Sequence, residues 1–510
     1  MFIRGIFAGG IALAAALLLA GPAPTPAEAA PAFVWSAADS GPGTLRAAVE
    51  AANSNSSINS IRFHPLLPTI VLSSAVEYTG SQALSIEGNL HPLLRTTIEG
   101  DTTCSTDGGS ACSDDAGIAT CEPLFMSSSA ADLTFKDLTF QESDCDGILV
   151  DVPSAASGEV EVKLQRVTLQ DMSGFGLHVD DLGGSTASVK LVVDNSTVQR
   201  VGQNPDDRDG IRVDERGTGG ITASVALSRV VENGGDGIEL DEGDGGGVDV
   251  TVRGSTLSDN GFANSEDQED GLDVDEVGEG SVSATLTGVT ASGNGDEGID
   301  LNETGTGDLT LRATLVTANE NGVDFESDGI GLEERDGGMV DARFINVTAN
   351  GNGENGIDLK EDEEDEDDPG EADSGNMIVR MTLVRILANL DHGMNVEELS
   401  DGNLDFEATG LRLDDNGGDG AQLQEEGEGH NLSRFWNSSA DGNDDDGLQI
   451  EESDGGDLDA RLFNSSVSNN DDDGINASED DAGTGELRLP GTAVTGNGGD
   501  DLALDNVVLI

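Results

Sequence analysis

Two sets of regularly spaced carboxylates run through this chain, and carboxylates brought close together either hold cations or share protons. The first set is a pair of acidic turns. Asn443-Asp444-Asp445-Asp446-Gly447 stands 27 residues before Asn470-Asp471-Asp472-Asp473-Gly474. Stacked in register, the six aspartates of these turns face one another in two layers. Calcium takes six to eight oxygens at flexible geometry, which Asp carboxylates and turn carbonyls can supply. Asp444, Asp445, Asp446, Asp471, Asp472 and Asp473 are therefore the candidate calcium ligands, joined by Glu452 and Glu479 of the same repeats. No EF-hand spacing and no tandem nonapeptide calcium repeat accompanies them.

The second set is a glutamate five residues after a marker glycine: Glu215, Glu242, Glu276, Glu303, Glu334, Glu361, Glu398, Glu425, Glu452 and Glu479. Parallel strands lie about 4.8 Å apart. Two carboxylates at that distance repel by roughly 1 kcal/mol in water, and by about 3–4 kcal/mol at an effective dielectric near 20. Such a column must fan into solvent, bond backbone N–H groups at a corner, or hold cations.

These carboxylates meet only if the chain stacks on itself, and its repeat requires that. The marker glycines are Gly147, Gly176, Gly210, Gly237, Gly271, Gly298, Gly329, Gly356, Gly393, Gly420, Gly447 and Gly474, with Asp501 in the last slot. Their spacing is modally 27 and never shorter, so longer intervals are repeats with loop insertions. A unit of that size cannot bury a core alone, and the fold is a solenoid. After Gly237, Ile238 and Leu240 alternate with Glu239 and Asp241, then Val248, Val250 and Val252 with Asp249 and Thr251, and Leu257 follows. Period-two alternation cut by Gly/Asp/Asn clusters is a strand signal, here two clear strands and a shorter third per turn. Asparagine recurs four residues before the glycine, at Asn233, Asn294, Asn352, Asn389, Asn416, Asn443, Asn470 and Asn497. Asn suits left-handed corners and stacks into amide ladders. The fold class is all-β, a right-handed parallel β-helix of about 13 or 14 rungs.

With these features the chain resembles the pectin-lyase-like β-helix superfamily over roughly residues 100 to 510. The resemblance implies architecture and leaves activity open, because the fold hosts many functions. Pectate-lyase-like members would imply acidic calcium ligands with an Arg or Lys proton acceptor. Here Arg380 and Arg385 are the nearest approach to a basic cluster in the regular repeats, and they read as strand-flanking charges. Polygalacturonase-like members would imply Gly-His-Gly and Arg-x-Lys. Asp391-His392-Gly393 departs from the first, and the second is missing. His178 sits at an outward strand position two residues before Asp180-Asp181.

Residues 1–29 read as a secretory signal peptide, with Arg4, the apolar run Ile11 to Leu19, and Ala27-Glu28-Ala29. Residues 30–100 hold a cap and the first strands, 101–146 the cysteine-containing early rungs, and 147–510 the regular acidic repeats. In residues 41–53, Leu45, Ala48, Val49 and Ala52 form the apolar face of a capping helix, which an open solenoid end needs. Val507 to Ile510 is apolar and is expected to fold back over the last rung, the alternative being a contact with a partner. Cys104, Cys112, Cys121 and Cys145 allow two disulfides with three possible pairings. The acidic insertion at 360–373 reads as a solvated loop.

Asp plus Glu number 100 against 24 Lys plus Arg, a net charge of −76. Such a surface repels nucleic acid and attracts cations and basic partners. No later segment is apolar and long enough to span a membrane as a helix. The sequence thus predicts a secreted or periplasmic, non-catalytic β-helix protein of structural or adhesive role. It would bind Ca2+ weakly along an acidic face, with extracellular polysaccharide or a basic protein surface as partner. The same residues leave two alternatives: a polysaccharide lyase or glycoside hydrolase, or acidity that is only salt adaptation.

Overall fold

The computed structural model describes residues 31–510 apart from 68, 90–94, 101–121, 204–207, 263–267, 323–326, 363–374 and 481–482. The residues read as a signal peptide, three of the four cysteines with their pairings, and most of the acidic insertion lie outside the described residues.

A typical rung comprises Ile238–Glu242, Val248–Arg253 and Thr256–Ser258. Each strand pairs in parallel with its counterpart one rung away. Strands that follow the marker glycine form a 15-stranded sheet, called here the marker sheet. The second strands form a 17-stranded broad sheet. The short third strands form sheets of seven and six, joined by the single bridges Thr256 to Thr290, Thr290 to Thr317 and Thr317 to Thr348. Connections between parallel strands of one sheet are right-handed in nearly all proteins. The expected 13 or 14 rungs become fifteen marker-sheet strands, because Val76–Tyr78 and Phe125–Ser127 already stack ahead of Gly147.

Alternation decides what enters the core. Ile238, Leu240, Val248, Val250, Val252 and Leu257 are buried while Glu239, Asp249 and Thr251 face outward. Each such aliphatic contributes roughly 1.5–3 kcal/mol on burial. One end is closed by the helix Leu45–Ser54, whose N-cap Thr44 accepts the Ala47 N–H and whose buried residues are Leu45, Ala48, Val49 and Ala52. The other end differs from expectation. Val507–Leu509 continues the broad sheet, paired in parallel with Gly485–Leu487, and does not fold back.

The asparagine corner is a continuous buried ladder. Asn233 Nδ2 donates to Asn260 Oδ1 at 2.9 Å, Asn260 to Asn294 at 3.2 Å, and Asn294 to Asn321 at 3.1 Å. It runs on through Asn352, Asn389, Asn416, Asn443 and Asn470 to Asn497. Asn260 and Asn321 escaped the sequence pattern because insertions fall between them and Gly271 and Gly329.

Candidate functional site: an acidic face on the marker sheet

Outward residues of the marker sheet stack in two columns. The first reads Arg212, Glu239, Asp273, Asp300, Gly331, Asp358, Asn395, Gln422, Gln449 and Asn476. The second begins Asp214, Asp241, Asp275, Asn302 and Glu333. Acids crowd the early rungs, and the first column turns to amides from Asn395 onward.

The residue before each marker glycine adds a third column, built for a structural reason. Asp209 Oδ1 accepts the Asp236 N–H at 2.9 Å, and Asp328 Oδ1 accepts the Asn355 N–H at 2.7 Å. Asp419 Oδ1 accepts the Asp446 N–H at 2.7 Å. One oxygen of each carboxylate thus pins the next turn; the other oxygen of Asp209 faces Arg212 Nη1 at 3.4 Å.

Where these columns meet, carboxylates converge. Ligand-capable oxygens of Asp209, Asp236 and Glu239 lie within 4.8 Å of one another, as do those of Glu239, Asp241 and Asp273, and of Asp270, Asp273 and Asp300. Arg212 lies at one end, 2.8 Å from Asp214, 2.5 Å from Asp241 and in contact with Glu239. His178 Nε2 is 2.7 Å from Asp214 Oδ2. Burial and neighbouring acids push Glu239 up to about 10 and Asp241 up to about 8. Asp236, Asp270 and Asp273 are raised well above the usual range, by burial first and then by the neighbouring charges of Asp209, Glu297 and Asp275 respectively. Asp214 goes the other way: burial would raise it, but His178 and Arg212 outweigh that and hold it low. Burial opposes the charging of His178, yet Asp214, Asp146 and Asp180 leave its pKa raised.

The turns singled out in the sequence come together in part. Asp445 and Asp446 meet Asp419, which burial pushes up to about 7. Asp444, Asp471 and Asp472 are exposed, and Asp473 Oδ1 accepts the Asp500 N–H. Glu452 and Glu479 point into the core six residues along their strands from Asp446 and Asp473. Six residues of extended chain span about 20 Å.

A basic cluster also exists, contrary to the sequence reading. Arg312, Arg343, Arg380, Arg434, Arg461 and Arg488 stack on the outer broad sheet, interrupted at Glu407. Their spacing of 27 to 54 residues hid them. Asp341, Asp405 and Asp459 pair with this column, including Arg380 to Asp405 at 2.5 Å and Arg434 to Asp405 at 3.1 Å. Beside it the rings of Trp436 and Phe463 stack at 5.6 Å and 6°.

Three parallel strands per rung, an internal asparagine ladder and a helical cap settle the architecture. The fold is a parallel β-helix. No family model and no curated protein matches the chain. Among solved structures, the pectate lyase Pel9A aligns at 14% identity and TM-score 0.39, covering 67% of this chain and 78% of that one. The periplasmic alginate epimerase AlgG aligns at 12% and 0.38, covering 76% and 77%. The Azotobacter vinelandii mannuronan C-5 epimerase AlgE6 A-module aligns at 13% and 0.35, covering 91% and 94%. At these identities and scores no activity transfers. Among the described residues, no helix of this β-helix is long and apolar enough to cross a membrane.

Proposed function

We propose that this β-helix is an extracytoplasmic, non-catalytic binding protein whose acidic marker-sheet face takes divalent cations of the calcium class and through them a polysaccharide. The observation that carries the reading is the set of overlapping carboxylate clusters from Asp209 to Asp300, of which Arg212 compensates only one end. Oxygen-only donors at flexible geometry suit Ca2+. Asp419, Asp445 and Asp446 form a second, smaller candidate. Salt adaptation predicts no difference between cations beyond ionic strength, and that separates it from this reading. In thermal unfolding, Ca2+ should raise the midpoint above that in EDTA or in NaCl and MgCl2 at matched ionic strength. At about 100 times Kd the gain is about 2.7 kcal/mol. Asp273→Asn should remove most of it. Affinity should rise with pH from about 8 to about 10, because Asp241 and then Glu239 must give up their protons to bind. An equal rise with every salt would end this reading.

A second reading, a carbohydrate-active enzyme, is favoured by the Asp214 and Asp241 pair. They occupy facing positions on adjacent rungs, one held ionised and the other pushed up to about 8. Carboxyls with separated pKa values divide acid and base roles, and a rung spacing of about 4.8 Å is near the separation of about 5–5.5 Å used by retaining glycosidases. Asp214→Asn should then abolish reducing-end release from a polysaccharide panel by about 10³-fold or more. Wild-type protein inert on neutral and uronate glycans alike would exclude it.

A further inference from the structure

The glutamate column is not on the surface. Asp181 and the ten glutamates from Glu215 to Glu479 occupy one register line along the marker sheet. All are 0–3% exposed. They share the inward parity of the aliphatics, so the column lies inside the barrel at the corner leading to the broad sheet. One oxygen of most members is anchored. Oε1 of Glu242, Glu276 and Glu303 accepts the N–H of the glycine four residues on, Gly246, Gly280 and Gly307, at 3.0, 2.9 and 3.0 Å. Glu398 does the same with Gly402 at 3.2 Å, and Ser400 Oγ donates to it at 2.7 Å.

The second oxygens are the anomaly. Oε2 of Glu215, Glu242, Glu276, Glu303, Glu398 and Glu452 is buried and meets no donor among the described residues. A buried acceptor without a donor is costly, and a buried charge without a partner more so. Carboxyls of adjacent rungs lie in hydrogen-bonding reach of each other, Glu276 with both Glu242 and Glu303, Glu398 with Glu361 and Glu425, and Glu479 with Glu452. Between two carboxylates that contact supplies no donor; with a proton on one of them it becomes a hydrogen bond. Packing is tight as well, since a Cβ on the corner glycines Gly280, Gly307, Gly429 or Gly456 would come within 1.4–1.5 Å of the previous rung's glycine oxygen.

We propose that these eleven stacked carboxyls form one proton-binding column, in which shared protons supply the missing donors and set the stability of the rod. Charged groups bearing on the column from outside it are Asp180 beside Asp181 and Asp454 near Glu425, both acidic. The broad-sheet strands leaving this corner begin with buried Val248, Val282, Leu309 and Val340, none of which titrates. Burial, then the neighbouring carboxyls, pushes Glu276 up to about 9 and Glu215 to about 8. Burial likewise takes Glu398 to about 9 and Glu425 to about 8, with neighbouring glutamates adding to it. A carboxyl raised in the folded state binds more protons folded than unfolded. Its stabilisation is complete below the ordinary glutamate range and is lost as pH rises through the folded value.

The test is unfolding of the whole chain in EDTA and high salt between pH 5 and 10, with proton uptake on folding measured in buffers of different ionisation heat. The midpoint should fall steadily from pH 7 to 9; Asp241 and Glu239 of the outer face contribute to that fall, so the column's share is the difference between wild type and a variant of the column. Glutamine mimics a protonated glutamate, so Glu276→Gln with Glu398→Gln should flatten that fall and cut uptake by about two protons at pH 7. Asp273→Asn separates this from the surface cation face, because the double variant's loss of uptake should persist in its background. An unchanged slope and uptake in the double variant would overturn the proposal. So would a Ca2+-specific rise at pH 9 that the double variant loses, since the column would then hold cations. Should the variant not fold, the infrared carbonyl band of protonated carboxylic acids decides. It should be present in folded wild type at pH 7 and vanish on alkaline unfolding, and its absence at pH 7 would refute shared protons.

Discussion

Gly307→Ala will prevent this chain from folding stably at the affected rung, at a cost above about 4 kcal/mol. The added Cβ would sit 1.5 Å from Gly280 O and 2.5 Å from Glu303 Oε1. Neither atom is a flexible tip that can swing aside. Gly280 O is backbone of the preceding rung, and Glu303 Oε1 is held by the Gly307 N–H. The corner must open, and opening it exposes buried Glu303 and parts Leu309 from Val282 and Val340. Gly245 is the control, because an added Cβ there meets nothing within 4 Å. Urea unfolding by circular dichroism should show Gly245→Ala within about 0.5 kcal/mol of wild type. Equal stability of the two variants would show that the corner is not so tightly packed.

Asn352→Ala should be nearly as damaging, by about 3–4 kcal/mol. Asn352 Oδ1 accepts from the Asn321 backbone at 3.1 Å and from Asn321 Nδ2 at 3.2 Å, and its own Nδ2 donates to Asn389 Oδ1 at 3.0 Å. Alanine strands these groups where no water reaches, since Asn321, Asn352 and Asn389 are 0–2% exposed. Each orphan costs about 1–3 kcal/mol. At the open end the same change is mild. Half-buried Asn497 serves only the next member, Asn470, and its own amide reaches Asp501, so Asn497→Ala should cost about 1 kcal/mol. Because rungs couple mainly to neighbours, hydrogen exchange should show the Asn352→Ala loss concentrated in rungs near residues 321 to 389. Protection unchanged there would mean the ladder is decorative.

The linear chain by itself determined the period, the strands and the corner residues. Twenty-seven residues with apolar positions at fixed offsets can bury themselves only by stacking, and that necessity needs no coordinates. The cap helix was equally local, because Thr44, Leu45, Ala48, Val49 and Ala52 carry both its start signal and its buried face. Even the inward glutamates were implied, since Glu242 shares the parity of Ile238 and Leu240. The repulsion argument left solvent, backbone and cations all open for that column, because a strand end can turn its last side chain either way. Only the corner, with Gly246 N–H turned toward Glu242, fixed it inside.

Tertiary structure alone decided which charges meet. Asp209, Asp236 and Glu239, or Arg380 and Arg434, are brought together by register between rungs, and register is legible only once each loop insertion is placed. The insertions before Asp270 and Asp328 sit between asparagine and glycine, so counting from the glycine lost Asn260 and Asn321. In a composition with 100 acids every position looks like a candidate ligand. What separates Asp273 from Asp444 is burial against other carboxylates, a property of the stack that no single repeat contains.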